Sequence, residues 1–406
     1  MTSTVQVVIF VGRILLYLPF LVVAGTFPLI IEQWGVSATQ AGSIVSAFYL
    51  SYAFSLFVFS WLCDWWGAKR AASISIVATA LTSVAFAVWA VDYWSTLVTY
   101  ALIGAGHGGI YTPLVILLRQ NIPPDKLGTA VGWLVASTST GYALSIGVAG
   151  LCIYLSGWRL AFQVAGLASV LGAALLLLAL AKVENRVSGS VASWDVTTEL
   201  RENRESRTLL GGYVGHCWEL LGMWAWAPAF LAANLVLHGN EVTAATQISA
   251  GLITLLHIVG AVAALIMGGL SDKIGRKPVL LWNTALAAGF SFTIGWLVHI
   301  DPYVLFVLML AYSFFAIGDS SVLSTTTAER VNPNCLGALL AIRSLLGFIA
   351  GAASPVVFGL TIDWLRALQA TEGQVWGAAF ATLGIAGAAA AYFSAALKGD
   401  RRAMTD

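Results

Sequence analysis

Charged side chains are scarce in this chain: Asp, Glu, Lys and Arg make up only 10% of its 406 residues, against about 25% in soluble domains. The formal net charge is +1, which gives no electrostatic reason for a nucleic-acid partner, and we predict none. Cysteine is also rare, and no CxxC pair is present. The four cysteines lie in or beside apolar runs: Cys63, Cys152, Cys217 and Cys335. This pattern argues against a disulfide framework or a zinc site, so we predict no bound metal and no cofactor.

Apolar residues, by contrast, make up 59% of the chain and are gathered in long runs. About 20 apolar residues are enough for a helix to cross a bilayer. Gly, Pro and charge clusters divide the chain into twelve predicted spans: residues 5–31, 39–62, 71–91, 95–118, 128–154, 160–181, 209–236, 246–270, 279–299, 303–328, 336–361 and 375–397. The first run has no basic segment or small-residue cleavage site before it, so we predict a retained first helix.

One long polar segment splits these spans into six and six. We therefore predict an all-α membrane protein with an N-terminal six-helix bundle at residues 1–181, a central loop at 182–208 and a C-terminal six-helix bundle at 209–406. The halves also repeat internally: Pro19 matches Pro228, and PDKLG at 124–128 matches PNCLG at 333–337 at the same offset.

A compact charged loop stands between two apolar runs at residues 268–278, which read GGLSDKIGRKP. A partial copy, SWLCDWWGAKR, occupies residues 60–70. The two loops resemble the G-x-x-x-D-[RK]-x-G-[RK]-[RK] signature of the major facilitator superfamily, which joins helices 2 and 3 in one half and helices 8 and 9 in the other. The later copy is complete, whereas the earlier one has Ser60, Trp65 and Ala68 where the signature has a Gly and two basic residues.

The resemblance implies a twelve-helix fold of two pseudo-symmetric bundles that works by rocker-switch alternating access. It also implies that the two loops latch a cytoplasmic gate. The predicted gating residues are Asp64, Gly67, Lys69, Arg70, Asp272, Gly275, Arg276 and Lys277, with Arg343 added near the inner end of the eleventh span.

The basic residues predict the orientation of the chain. With both termini in the cytoplasm, the inner side collects nearly all Lys and Arg, including Lys182, Arg186, Arg401 and Arg402, and the outer side keeps only Arg159 and Arg366. We predict a multi-pass protein of a bacterial inner membrane and a monomer.

Ionisable residues inside a bilayer are costly, and each is therefore a candidate for function. The predicted spans contain Arg13, His107, His216, Glu219, His257, Asp319 and Arg343. The family resemblance implies that helices 1, 4, 7 and 10 line the central cavity. The predicted substrate-binding residues are Arg13, His107, His216, Glu219, Trp226 and Asp319, and the predicted coupling residues are Glu219, Asp319 and His107.

Three of these candidates leave alternatives open: Arg13, the pair His216 and Glu219, and Asp319. Arg13 cannot lose its proton and needs an anion, which is either the substrate or an internal carboxylate such as Glu219. His216 and Glu219 share one helical face, where they either contact a substrate or form hydrogen bonds to a neighbouring helix. The charge of Asp319 could be neutralised by protonation or by Arg343. Met223, Trp226 and Phe230 continue the His216 face as an aromatic wall.

We interpret the chain as a secondary transporter of a small organic or inorganic anion, with protons as the coupling ion. An exporter of amphipathic compounds is the alternative that the aromatic wall favours. A membrane-embedded enzyme using His107, His216, Glu219 and Asp319 is the alternative of another class, but no nucleophile elbow, zincin motif or phosphate loop supports it. We predict that the chain is not an enzyme.

Overall fold

The structure is a computed structural model that describes residues 3–181, 183–185, 187, 196–332 and 335–399. Every regular element in these residues is a helix, which confirms the predicted all-α class. Some residues used in the predictions lie outside the described part: Lys182, Arg186, Pro333, Asn334, Arg401 and Arg402.

Twelve helices of the described chain are long and apolar enough to cross a membrane. In chain order they are α1 (Ser3–Val22), α2 (Ala38–Trp66), α3 (Ala68–Trp89), α4 (Tyr93–Asn121), α5 (Lys126–Ser156), α6 (Trp158–Ala181), α7 (Arg204–Leu237), α8 (Val242–Ile274), α9 (Arg276–Leu297), α10 (Pro302–Arg330), α11 (Leu336–Ala367) and α12 (Glu372–Ala396). The regular helix of α5 begins slightly earlier, at Pro124. The number of spans is the one predicted.

The first predicted span, residues 5–31, is too long. In the structure α1 ends at Val22, after a break between Ser3–Leu16 and Pro19–Val22, and a separate helix covers Phe27–Trp34. Proline explains both boundaries: Pro19 and Pro28 stand in the first turns of the segments that follow each break. A proline has no N–H to donate and is accommodated with least strain in the first turn of a helix.

The fourth span is divided in the same way. Its two segments are Tyr93–His107 and Thr112–Asn121, and Pro113 stands in the first turn of the second. The break after His107 falls in the glycine-rich run that surrounds this histidine. The imidazole therefore sits at a helix end.

The described chain forms two compact units, and two of its helices divide between them. The first unit contains Met1–Val36, Ser43–Val191 and Val242–Thr254, and the second contains Ser37–Gly42, Ala192–Glu241 and Leu255–Asp406. The start of α2 thus belongs to the second unit, and the start of α8 belongs to the first. The bundle boundaries at residues 181 and 209 remain a prediction.

Large apolar side chains cover much of the outer surface. Leu81 and Ile385 are each 67% exposed and Leu265 is 79% exposed, whereas the ionisable candidates Arg13, His107, His216, Glu219 and Asp319 are all buried. An outward-facing apolar surface with polar groups inside is the arrangement that a lipid environment requires.

Candidate functional site

Arg13 of α1 lies wholly inside the first unit, with 0% of its surface exposed. Its Nη1 donates to the Leu134 carbonyl and to the Ser137 hydroxyl at 2.8 Å. Its Nη2 donates to the hydroxyls of Thr138 at 2.9 Å and Tyr17 at 3.1 Å. These acceptors are all neutral, and Nε has none.

The positive charge of Arg13 is therefore not neutralised by the protein around it. Among the described residues no carboxylate pairs with Arg13, and Glu219, the internal partner that the sequence left open, has hydroxyl partners within the second unit. Two aromatic faces compensate part of the charge, because the guanidinium carbon lies 5.1 Å from the ring centre of Tyr17 and 5.7 Å from that of Tyr111.

Tyr17 is the residue around which this cluster is built. A Cβ added to Gly141 of α5 would lie 2.6 Å from the Tyr17 Cβ, so only glycine at position 141 lets α1 approach α5 this closely. Ser137 and Thr138 lie on the same face of α5 as Gly141, because they precede it by four and three residues. The spacing of Arg13 and Tyr17, i and i+4, could have indicated Tyr17 in the sequence, but nothing local indicates its partners on α5.

His107 belongs to the same cluster through Tyr17. Its ring meets the ring of Tyr17 edge-on, with 4.3 Å between ring centres. Phe20 and Tyr52 lie at 5.9 and 6.0 Å. Only 1% of His107 is exposed, and neither ring nitrogen has a hydrogen-bond partner. The imidazole therefore keeps free donor and acceptor capacity inside an aromatic cage.

In the second unit, His216 of α7 and Asp319 of α10 form a buried pair. The His216 Nδ1 lies 2.9 Å from one Asp319 carboxylate oxygen and 3.0 Å from the other. Each side chain is only 4% exposed. Asp319 therefore pairs with His216 and not with Arg343, which was its predicted partner. The two predicted residues His216 and Asp319 are thus brought together across 103 positions of sequence.

Glu219 lies one turn after His216 but has no cationic partner in the described chain. Its Oε1 accepts a hydrogen bond from Ser291 at 2.7 Å and one from Tyr312 at 3.5 Å. The carboxylate is packed so tightly that a Cβ added to Gly387 of α12 would lie 2.5 Å from its Oε2. A carboxylate buried among neutral hydroxyls is costly when charged and is easily held in the protonated form.

Trp226 does not line an open surface. It is 1% exposed, its ring stacks on Phe358 at 5.2 Å and its indole N–H donates to the Pro355 carbonyl at 3.0 Å. Met223 and Phe230 are equally buried, at 1% and 0%. The predicted aromatic wall is therefore packed within the second unit. His257 lies against Trp224, with 5.1 Å between ring centres.

Arg343 of α11 is also buried, with 7% of its surface exposed. Its guanidinium lies over the Tyr213 ring at 4.2 Å and donates to the hydroxyls of Thr327 at 3.1 Å and Ser324 at 3.3 Å. The predicted gating role of Arg343 remains a prediction.

The complete loop at residues 268–278 holds a charge network. Arg276 pairs with Asp272 at 2.5 Å and with Glu329 at 2.8 Å. Lys277 donates from Nζ to the Leu397 carbonyl, just beyond α12, at 2.7 Å. Gly275 has φ +98°, a backbone conformation that favours glycine.

The degenerate loop at residues 60–70 is held differently. Ala68 occupies the position of Arg276, and the exposed Asp64 has no partner in the described chain. The Asn185 side chain instead accepts from the Lys69 N–H at 3.2 Å and donates to the Trp66 carbonyl at 2.9 Å. Lys69 Nζ reaches the Val183 carbonyl at 2.7 Å, as Lys277 reaches Leu397. Arg70 is exposed. Nothing in the sequence indicated that Asn185 would hold this loop.

Known proteins provide an independent comparison. In solved structures the fold is similar to that of a bacterial homolog of the human lysosomal transporter Spinster in an inward-facing, unoccupied conformation, with a TM-score of 0.75 and 17% identity over 97% of this chain and 95% of that one. A D-xylose–proton symporter gives a TM-score of 0.73 at 16% identity over 94% and 96% of the two chains.

Two curated relatives carry substrate names. A probable sulfoacetate transporter of Cupriavidus necator is 25% identical over 363 residues, which are 83% of this chain and 81% of that one. A probable 4-methylmuconolactone transporter of Cupriavidus pinatubonensis is 23% identical over 286 residues, which are 68% of this chain and 64% of that one.

The family itself is shown by a sequence model that matches residues 9–355. This match covers both signature loops, nine of the helices in full and parts of α1 and α11, and it agrees with the twelve spans and the neighbouring folds. The chain is a multi-pass membrane protein and belongs to the Major Facilitator Superfamily of small-solute transporters.

Proposed function

We propose that the chain transports a small organic anion by rocker-switch alternating access. The observation that carries this proposal is Arg13, which is 0% exposed and, among the described residues, contacts only neutral acceptors. A buried guanidinium without an anion costs several kcal/mol. A substrate carboxylate or sulfonate would supply the missing charge through the planar, two-pronged donor that arginine offers.

The names of the two curated relatives support an anionic substrate. Sulfoacetate and 4-methylmuconolactone are both small organic acids, one with a sulfonate and a carboxylate and the other with a carboxylate. The unpartnered His107, which shares Tyr17 with Arg13, has hydrogen-bonding capacity to offer such a ligand. The exporter alternative loses its main support, because Met223, Trp226 and Phe230 are buried in packing.

Proton coupling is proposed to run through Glu219. Asp319 already has His216 as a partner, whereas Glu219 has only the hydroxyls of Ser291 and Tyr312. A carboxyl group in this setting is stable when neutral and would release its proton when water reaches it. The proposal places the chain in a bacterial inner membrane as a monomer with both termini in the cytoplasm, acting as a transporter and not as an enzyme.

The test is binding and uptake of sulfoacetate by the purified chain in proteoliposomes. Arg13→Gln should weaken sulfoacetate binding by about ten- to a hundredfold, and Arg13→Lys should weaken it by less, because it keeps the charge and loses the planar fork. Arg159→Gln is the matched control, since Arg159 is an exposed arginine in the same unit.

An unchanged sulfoacetate affinity in folded Arg13→Gln would remove Arg13 as the anion-binding residue. If the wild-type chain binds sulfoacetate weakly, the same comparison is made with the best binder from a panel of small carboxylates. A panel in which neutral or cationic solutes bind and anions do not would overturn the proposed substrate class.

A further inference from the structure

The second unit contains a buried arginine whose charge is not neutralised. Among the described residues no carboxylate forms an ion pair with Arg343, although only 7% of its surface is exposed. Its two hydrogen bonds go to the Thr327 and Ser324 hydroxyls, and its Nε has no acceptor. Such a group needs an anion for the same reason as Arg13.

A simple structural role does not account for this arrangement. Arginines near a helix end often extend their charge towards the membrane surface, but the head group of Arg343 is held inside the unit. Asp319 lies on the same helix as Ser324 and Thr327 and would be the obvious partner, yet it pairs with His216. The interior of the second unit thus contains a carboxylate, that of Asp319, with which Arg343 does not pair.

The surroundings of Arg343 are also built to hold its guanidinium in one plane. The Tyr213 ring lies under it at 4.2 Å. Gly347, one turn along α11, makes room for this ring, because a Cβ at position 347 would lie 2.5 Å from the Tyr213 Cε1. An aromatic face beneath a guanidinium fixes its plane and leaves its edge to bind a ligand.

The same construction occurs around Arg13 in the first unit. There too a buried guanidinium has a tyrosine ring beside it, two hydroxyls on a neighbouring helix and an unpaired Nε. A glycine again makes room for the tyrosine, at Gly141. Arg13 and Arg343 are not at matching positions of the internal sequence repeat. The similar surroundings of the two arginines therefore reflect similar chemistry.

We propose that Arg343 is a second anion-binding residue of this transporter, which binds a carboxylate, sulfonate or sulfate group with the help of the Ser324 and Thr327 hydroxyls. This inference rests on the proposed function, because the anion is taken to be part of a transported substrate. It gives each of the two units its own oxyanion site and assigns Arg343 to binding in addition to any role in gating.

The experiment follows thermal unfolding of the full-length chain in a non-ionic detergent while sulfate replaces chloride at constant ionic strength. Binding to the folded state raises the melting temperature in a saturable way. Arg13→Gln isolates the proposed Arg343 site and should keep a saturable response to sulfate. The double variant Arg13→Gln, Arg343→Gln should lose it, whereas Arg13→Gln, Arg366→Gln should keep it, because Arg366 is an exposed arginine of the same helix.

Each outcome has a distinct meaning. An equal sulfate response in Arg13→Gln and in the Arg13, Arg343 double variant overturns the proposal. A response that is lost in Arg343→Gln alone and kept in Arg13→Gln supports Arg343 and counts against Arg13. If phosphatidylglycerol stabilises the chain through Arg343 and sulfate does not, the ligand is a lipid headgroup, and the proposal of a substrate site is wrong.

A second variant covers the case in which Arg343→Gln does not fold. Thr327→Val in the Arg13→Gln background keeps the arginine and removes one hydroxyl that lies 3.1 Å from it. The half-maximal sulfate concentration should rise several-fold, and an unchanged value would also overturn the proposal.

Discussion

At the scale of single residues, the buried ionisable groups differ in how they are compensated. Among the described residues, His216 and Asp319 contact each other at 2.9 Å, Arg13 has only neutral hydrogen-bond partners, and Glu219 accepts only from hydroxyls. The free-energy cost of holding each group in its charged form inside the protein therefore differs from one group to the next. Groups whose charge has no internal partner are the ones that respond most to a ligand or a proton.

The first prediction concerns Glu219. Glu219→Gln should abolish accumulation of substrate against its gradient and keep counterflow exchange, because the amide imitates the protonated acid and cannot release a proton. Uptake driven by an imposed pH gradient and counterflow in the same proteoliposomes are the two measurements. Glu241→Gln, at an exposed position of the second unit, is the control. Full accumulation by folded Glu219→Gln would rule out coupling through this residue.

The second prediction concerns the glycine behind Tyr17. Gly141→Ala places a methyl group 2.6 Å from the Tyr17 Cβ, and overpacking of this kind costs about 1–3 kcal/mol. Because Tyr17 contacts Arg13 and His107, anion affinity should fall together with the melting temperature. Gly132→Ala on the same helix meets open space and should change neither. Equal anion affinities and melting temperatures in the two variants would show that the close approach of α1 and α5 contributes to neither property.

At the scale of elements, the two signature loops use different contacts to fix the same turn. In the loop between α8 and α9, Arg276 binds Asp272 and Glu329. In the loop between α2 and α3, Ala68 cannot do this, and Asn185 caps the turn instead. The departures of the earlier copy from the signature therefore have a structural consequence.

The third prediction tests whether the complete loop acts as a latch. Asp272 is 65% exposed, and exposed ion pairs contribute about 0–1 kcal/mol to stability, so Asp272→Asn should leave the melting temperature nearly unchanged. If the pair with Arg276 latches a gate, uptake should slow several-fold while substrate affinity stays constant. Asp64→Asn is the comparison, since Asp64 has no partner to lose among the residues that the structure describes. Equal slowing by both variants would exclude the Arg276 pair as the cause.

At the scale of the whole molecule, α2 and α8 each pass from one compact unit into the other. The beginning of α2 is fixed in the second unit by Asp363 near the end of α11. The Asp363 carboxylate accepts from the Ala38 N–H at 2.9 Å, the Thr39 N–H at 2.8 Å and the Thr39 hydroxyl at 2.5 Å. Residues 325 positions apart are thus joined by a helix cap.

The fourth prediction compares this cap with a local one. Asp363→Ala should lower the free energy of unfolding by about 0.5–2 kcal/mol, as expected for loss of an N-cap. If the proposed transport cycle breaks this cap, the uptake rate per folded molecule should change as well. Asp301→Ala removes a cap at the start of α10 from Tyr303 and Val304, which lie next to it in sequence. It should lower stability and leave the uptake rate per folded molecule unchanged. An unchanged rate in Asp363→Ala would remove this cap from the transport cycle.

The sequence by itself determined the twelve membrane spans, the all-α class and the family. These depend on local properties, namely the length of apolar runs and a loop whose Asp, Gly and basic residues stand close together. It also placed Arg13, His107, His216, Glu219 and Asp319 inside membrane spans, where an ionisable side chain is costly and is therefore a candidate for function. Local signals were weaker near Pro19 and Pro28, where one predicted run became three α-helical segments.

Only the tertiary structure decided which partner each buried group has. Arg13 meets Ser137 across 124 positions, and Glu219 meets Ser291 across 72. Serine and threonine are common throughout the spans, so nothing in the local sequence marks these particular ones as partners. The partner depends on which helix faces pack together and how closely glycines such as Gly141 and Gly387 let them approach. In the described part of the chain the same packing left Arg13 and Arg343 without a carboxylate partner, because the charge balance of a site depends on helices brought together from distant parts of the chain.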